Sequence, residues 1–116
     1  MTYDPNNVFA KILRGEIPCQ QCFANEFALA FHDIAPAAPT HLLVIPKGGY
    51  ANFATFVAEA SHAEQAGFWA TVATVAAEAG LSDYRLITNN GGDAGQTVHH
   101  FHVHILGGKP MSALLP

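Results

Sequence analysis

One hundred and sixteen residues, half of them hydrophobic and 12% charged, fit one folded domain spanning residues 1–116 and argue against disorder. The net charge is −4 and the five basic residues are scattered, so a nucleic-acid partner is not expected, while backbone amides can still hold a small phosphorylated ligand. The opening MTYDPNNVFA lacks a charged start and an apolar run, and no stretch nears the ~20 apolar residues of a membrane span, so a soluble cytoplasmic protein is expected.

In chain order, Asn6 or Asn7 can cap a short helix, VFAKILRG, closed by Gly15. Ile17 to Phe23 reads as a strand. Its Cys19 and Cys22 stand three apart and would point to opposite faces, so reduced cysteines are expected and not a zinc or redox pair. After a turn at Asn25, FALAFHD alternates with period two, placing Phe27, Leu29, Phe31 and Asp33 on one face. Pro36 and Pro39 interrupt the chain, HLLVIP resumes a strand up to Pro46, and KGGY opens a loop. Ser61 and Glu64 form a capping-box pair before a long alanine-rich helix ending at Gly80. Its core stripe is expected to be Phe68, Val72, Val75 and Ala79, with Trp69, Ala73 and Ala76 beside it. YRLITN is a strand, NGGDAGQ a glycine-rich loop, VHHFHVHIL the last strand and MSALLP a short tail. This order predicts an α+β fold with a mostly antiparallel sheet.

The last strand carries the chemistry. His100, His102 and His104 would share one face, about 7 Å apart along the strand, with Phe101, Val103 and Ile105 on the other. His99 falls on the apolar side and is left out of the site. Three imidazoles on one face can bind a metal, with His41 as a further ligand, but no acid follows Asp93, so a carboxylate would have to come from elsewhere. They can also supply a nucleophile and its helpers. The preceding NNGGDAGQT favours this second reading: Gly91, Gly92 and Gly95 free the backbone to curl amides round an anion, and Asn89, Gln96 and Thr97 add neutral hydrogen-bonding groups. Phe31 and Asp33, on one strand face, offer an aromatic wall and then a carboxylate, which suits a base and its ribose hydroxyls.

The segment GQTVHHFHVHILGG resembles the signature of the histidine triad (HIT) family, His-φ-His-φ-His-φ-φ with φ apolar. The glycine pair after it is similar to the Hint branch, the histidine triad nucleotide-binding proteins. The likeness extends over VFAKILRGEIP and LAFHDIAPAAPTHLLVIPK. It implies a HIT-like fold, a five-stranded mostly antiparallel sheet with one short and one long helix. It also implies hydrolysis of purine nucleoside 5′-phosphoramidates through a nucleotidyl-histidine, without a cofactor. By position His102 would attack the α-phosphorus and His104 would meet the phosphate and leaving group. His100 would orient its neighbours, and His41 would join the network. Asn89, Gly95, Gln96 and Thr97 would form the phosphate loop, Thr97 standing where relatives commonly have serine. Val8, Phe9, Phe31, Ile34 and Leu43 would line the base and Asp33 would hold the ribose.

Two departures matter. Relatives that bind structural zinc carry a Cys-x-x-Cys near the first helix, where this chain reads NNVFAK, so no metal is expected. The tail MSALLP has no aromatic residue to shape the leaving-group side. The resemblance further implies a homodimer paired through the long helix and a strand. Two other readings remain: a nucleotide-binding regulatory module with incidental hydrolysis, and a histidine-ligated metal enzyme.

Overall fold

The computed structural model describes residues 2–113. Helix α1 spans Val8–Leu13, and Asn7 caps it by accepting from the Ala10 amide at 2.9 Å. Strands β1 (Gln21–Ala24), β2 (Ala28–His32) and β3 (Thr40–Pro46) follow, then helices α2 (Phe53–Glu59) and α3 (His62–Glu78). Strand β4 (Tyr84–Ile87), a 3₁₀ turn (Gly92–Ala94) and β5 (Val103–Gly107) complete the order. The five strands pair in the sequence β1-β2-β3-β5-β4, every neighbouring pair antiparallel. This is the expected α+β architecture.

The two faces of the sheet carry different cores because side chains alternate along each strand. On one face Ala28, Ala30, Leu42, Val44, Phe101, Val103 and Ile105 meet Phe68, Val72, Val75 and Ala76 of α3. The two alanines keep β2 low enough for the helix to lie across it. Phe56 stacks on Phe101 at 4.7 Å and meets Phe68 edge-on at 5.3 Å, which locks α2 to the same core. On the other face Leu29, Phe31, Leu43 and Ile45 pack against Phe9 of α1. That face carries the candidate site.

Several local expectations are corrected. Helix α2 adds a second short helix; its one buried residue is Phe56, so it shows no apolar stripe, and only Asn52 at its cap signals it. Strand β1 begins at Gln21 and not at Ile17, after Pro18 and with a register shift between Gln21 and Phe23. Phe27 precedes β2 and packs in the helical core, where a side chain at Gly67 would overlap its ring. Ser61 accepts from the Glu64 amide as a cap should, but Glu64 accepts from the Tyr50 hydroxyl instead of returning to Ser61. Trp69, Ala73 and Ala79 are exposed, the core stripe of α3 turning through Thr71 instead. The last strand is shorter than VHHFHVHIL: residues 98–100 bend, and the ladder with β3 starts at the Val44–Val103 pair. Among the described residues no helix is long and apolar enough to cross a membrane.

Candidate active site

Register across three strands builds the heart of the site. Phe31 pairs with Leu43, and Leu43 pairs with His104, so an aromatic, an aliphatic and an imidazole side chain form one row. His41, two residues before Leu43, belongs to the same face. His100 and His102 precede the regular strand, yet their rings still lie opposite Phe101 and Val103, against Phe9.

The partners of the rings determine where the protons are. His102 Nδ1 lies 2.7 Å from the His100 carbonyl, which can only accept, so Nδ1 carries the proton and Nε2 keeps a lone pair. His100 Nε2 donates to the Pro46 carbonyl at 2.9 Å, leaving Nδ1 to accept from the Tyr3 hydroxyl at 2.7 Å. The Ala37 amide donates to His41 Nδ1 at 3.0 Å, so His41 Nε2 is protonated and donates to His104 Nδ1 at 2.9 Å. His104 then carries its proton on Nε2. Burial lowers the pKa of His102, opposed in part by the bond to the His100 carbonyl and by Asp33. Burial also pushes His100 down to about 4, and burial reinforced by the neighbouring imidazoles pushes His104 down to about 4. At neutral pH the triad is uncharged.

Asp33 Oδ2 lies 3.5 Å from His41 Nε2, and Asp33, His41 and His104 each present a ligand atom within 4.8 Å of the others. This is the carboxylate that the sequence did not place beside the histidines. The tautomers favour a proton chain over a metal there, because the Ala37 amide occupies His41 Nδ1 and leaves a proton on the nitrogen that a metal would need.

A cleft of about 370 Å³ opens over this row. Its lining includes Val8, Phe9, Phe31, Asp33, Ile34 and Leu43 from the expected base and ribose residues, and Thr97, His102 and His104 from the expected chemistry. Phe9 and Phe31 meet edge-on at 5.5 Å and form its apolar wall, while Ile34 stands fully exposed at the rim. His41 and His100 lie behind the lining, touching it through His104 and His102. Asn89, Gly95 and Gln96 do not line it. Gln96 is buried, its amide donating to the Ala51 and Val98 carbonyls and its oxygen accepting from the Gly91 amide. It therefore ties the glycine loop shut, with Gly91 and Gly95 at φ +98° and +99°, a backbone that side chains rarely tolerate. Cys19, Gln20 and Val98 also line the cleft, and Thr88 donates to the His102 carbonyl at 2.8 Å. Nothing in the local sequence pattern marked these residues or Tyr3.

Comparison with known proteins agrees with the fold. The sequence model of the HIT domain matches residues 14–111. A 13.2 kDa HIT-like protein of Azospirillum brasilense is 53% identical over 116 residues, which span 98% of this chain and 95% of the relative. A HIT family hydrolase from Legionella pneumophila superposes with a TM-score of 0.85 at 41% identity, over 92% of this chain and 96% of that one. A histidine triad nucleotide-binding protein from Candida albicans superposes with a TM-score of 0.78 at 28% identity, over 94% and 86% of the two chains.

Proposed function

Because this chain belongs to the HIT domain family, we propose that it is a Hint-type hydrolase of purine nucleoside 5′-phosphoramidates. The observation that carries the reading is the 2.7 Å bond from His102 Nδ1 to the His100 carbonyl, which leaves an unprotonated Nε2 on a ring that lines the cleft. His102 Nε2 forms a bond to the α-phosphorus as the P–N bond breaks, and the departing amine takes the proton from His104 Nε2. Water then attacks the nucleotidyl-histidine and gives its proton to His104. The P–N bond to His102 breaks, and the nucleoside monophosphate leaves. His41 engages His104 Nδ1 and so makes Nε2 the atom that gives up the proton in the first step and regains it in the second. Thr97, the residue of the glycine loop that lines the cleft, stabilises charge on the phosphoryl oxygens. Turnover needs no metal.

The apolar wall of Phe9, Phe31 and Leu43 takes the base, and Asp33 the ribose. A Hint-like homodimer is supported by exposed apolar groups on its expected surfaces: Trp69 on α3, and Tyr84 and Leu86 on the edge strand β4. Rapid quenching with an AMP phosphoramidate, followed by mass spectrometry of the digested protein, tests the chemistry. The nucleotide is expected on the peptide containing His102, and a label on any other residue overturns the assignment.

Asp33 gives a separate prediction. Asp33→Ala weakens AMP binding by about tenfold or more, the worth of a hydrogen bond to a charged group, and leaves 2′,3′-dideoxy-AMP binding unchanged. Affinity by calorimetry is the proper readout, because Asp33 also lies 3.5 Å from His41 and turnover mixes both roles. Equal losses for both nucleotides would remove the ribose role.

A further inference from the structure

The carbonyl that sets the tautomer of His102 belongs to His100, and His100 stands outside the sheet ladder. Residues 98–100 are a bend, and the β3–β5 pairing reaches no further back than Val103. Hydrogen bonding in the sheet therefore does not hold this carbonyl in place. Side chains and loop contacts hold it instead. The Phe101 amide donates to the Tyr50 carbonyl at 2.7 Å, and the fully buried His100 ring is pinned at both nitrogens. One pin is Pro46 of β3. The other is the Tyr3 hydroxyl, 97 residues away in the segment before α1. The Tyr3 ring stands edge-on to His100 at 5.7 Å and lies so close to Gly49 that an added Cβ would come within 2.9 Å of it.

We propose that Tyr3 is a positioning residue for the nucleophile: its hydroxyl fixes the His100 ring, the His100 carbonyl then holds the proton on His102 Nδ1, and Nε2 stays free to attack phosphorus. The inference rests on the reading of His102 as nucleophile. Tyr3 touches no substrate; it acts through the backbone at His100. The N-terminal segment is thereby part of the reaction machinery, although nothing in its sequence resembles a catalytic motif. Without this second pin the His100 ring can rotate about its remaining bond to Pro46, and the carbonyl is free to drift from His102 Nδ1.

The test is Tyr3→Phe in the full chain, which keeps the ring on Gly49 and removes only the hydroxyl. A second variant, Gly49→Ala, pushes the same ring aside while keeping its hydroxyl. In ¹⁵N-histidine spectra of the wild-type protein, His102 is expected to carry its proton on Nδ1. In both variants the His100 Nδ1 resonance moves towards that of an unbonded lone-pair nitrogen, and part of the His102 population shifts its proton to Nε2. Turnover number falls about three- to tenfold, the worth of one buried hydrogen bond, with KM unchanged. A merely structural role would lower the melting temperature and leave the nitrogen pattern of the folded protein intact. An unchanged His102 pattern in Tyr3→Phe overturns the proposal whatever happens to turnover. A wild-type His102 protonated on Nε2 instead overturns the nucleophile reading, and the relay with it, so the two failures are told apart before any variant is made.

Discussion

His102→Ala is expected to lower phosphoramidate turnover by on the order of 10⁴-fold or more, as loss of a nucleophile does elsewhere. AMP binding, measured by calorimetry, is largely retained. The asymmetry follows from the geometry. The walls of the cleft come from α1, β2, β3 and the loop before β5, and none of them needs His102 for its position. The His102 ring packs edge-on to Phe9 at 5.0 Å, so alanine widens the floor of the cleft without disturbing the Phe9–Phe31 wall. What disappears is the lone pair aimed at phosphorus. A variant that still turns over would end the nucleophile reading. Wild-type protein that binds AMP with no measurable turnover would instead move the assignment to a nucleotide-binding module.

Much of this arrangement is legible in one dimension because strands write their faces into the sequence with period two. Phe31 and Leu43 fall on the cleft side, Ala30 and Val44 on the helical side, as alternation requires. The glycine loop is equally readable, since left-handed backbone at Gly91 and Gly95 needs glycine. Elsewhere the sequence is silent for identifiable reasons. The start of β5 depends on where β3 stops offering partners, which is a property of the pair and not of VHHFHVHIL. Gln96 looks like a free amide in the sequence, but its partners come from positions 51, 91 and 98. Asp33, His41 and His104 meet only because β3 lies between β2 and β5. Tyr3 and His100 are joined by a single bond across almost the whole chain, which no local pattern can encode.

Acid should destabilise the fold more steeply than its carboxylates alone would require, and His100 is the reason. Burial holds its pKa at about 4, against 6.5 for the free side chain. Between those values the unfolded chain binds a proton that the folded chain refuses, so stability rises with pH across the window. The contribution is complete above pH 6.5, falls as the pH drops from there towards 4, and is fully lost below 4. From the two pKa values, about 2–3 kcal/mol should be lost between pH 7 and pH 4.5 through this one ring. That is a large share of the ~5–15 kcal/mol that holds a domain of this size together. His104 shifts in the same direction but adds less, because solvent reaches its ring. Urea unfolding at pH 7 and pH 4.5 measures the effect. In His100→Gln, whose amide nitrogen can take the place of Nε2 and donate to Pro46 but cannot titrate in this range, the loss on acidification should shrink by about 2–3 kcal/mol. An equal loss in both proteins would show that His100 is no colder to protons when folded than when unfolded. The same burial keeps the triad neutral, so turnover should survive to pH values where an exposed histidine would already be protonated. The chain thus gives up acid stability to bury the ring whose own carbonyl orients His102.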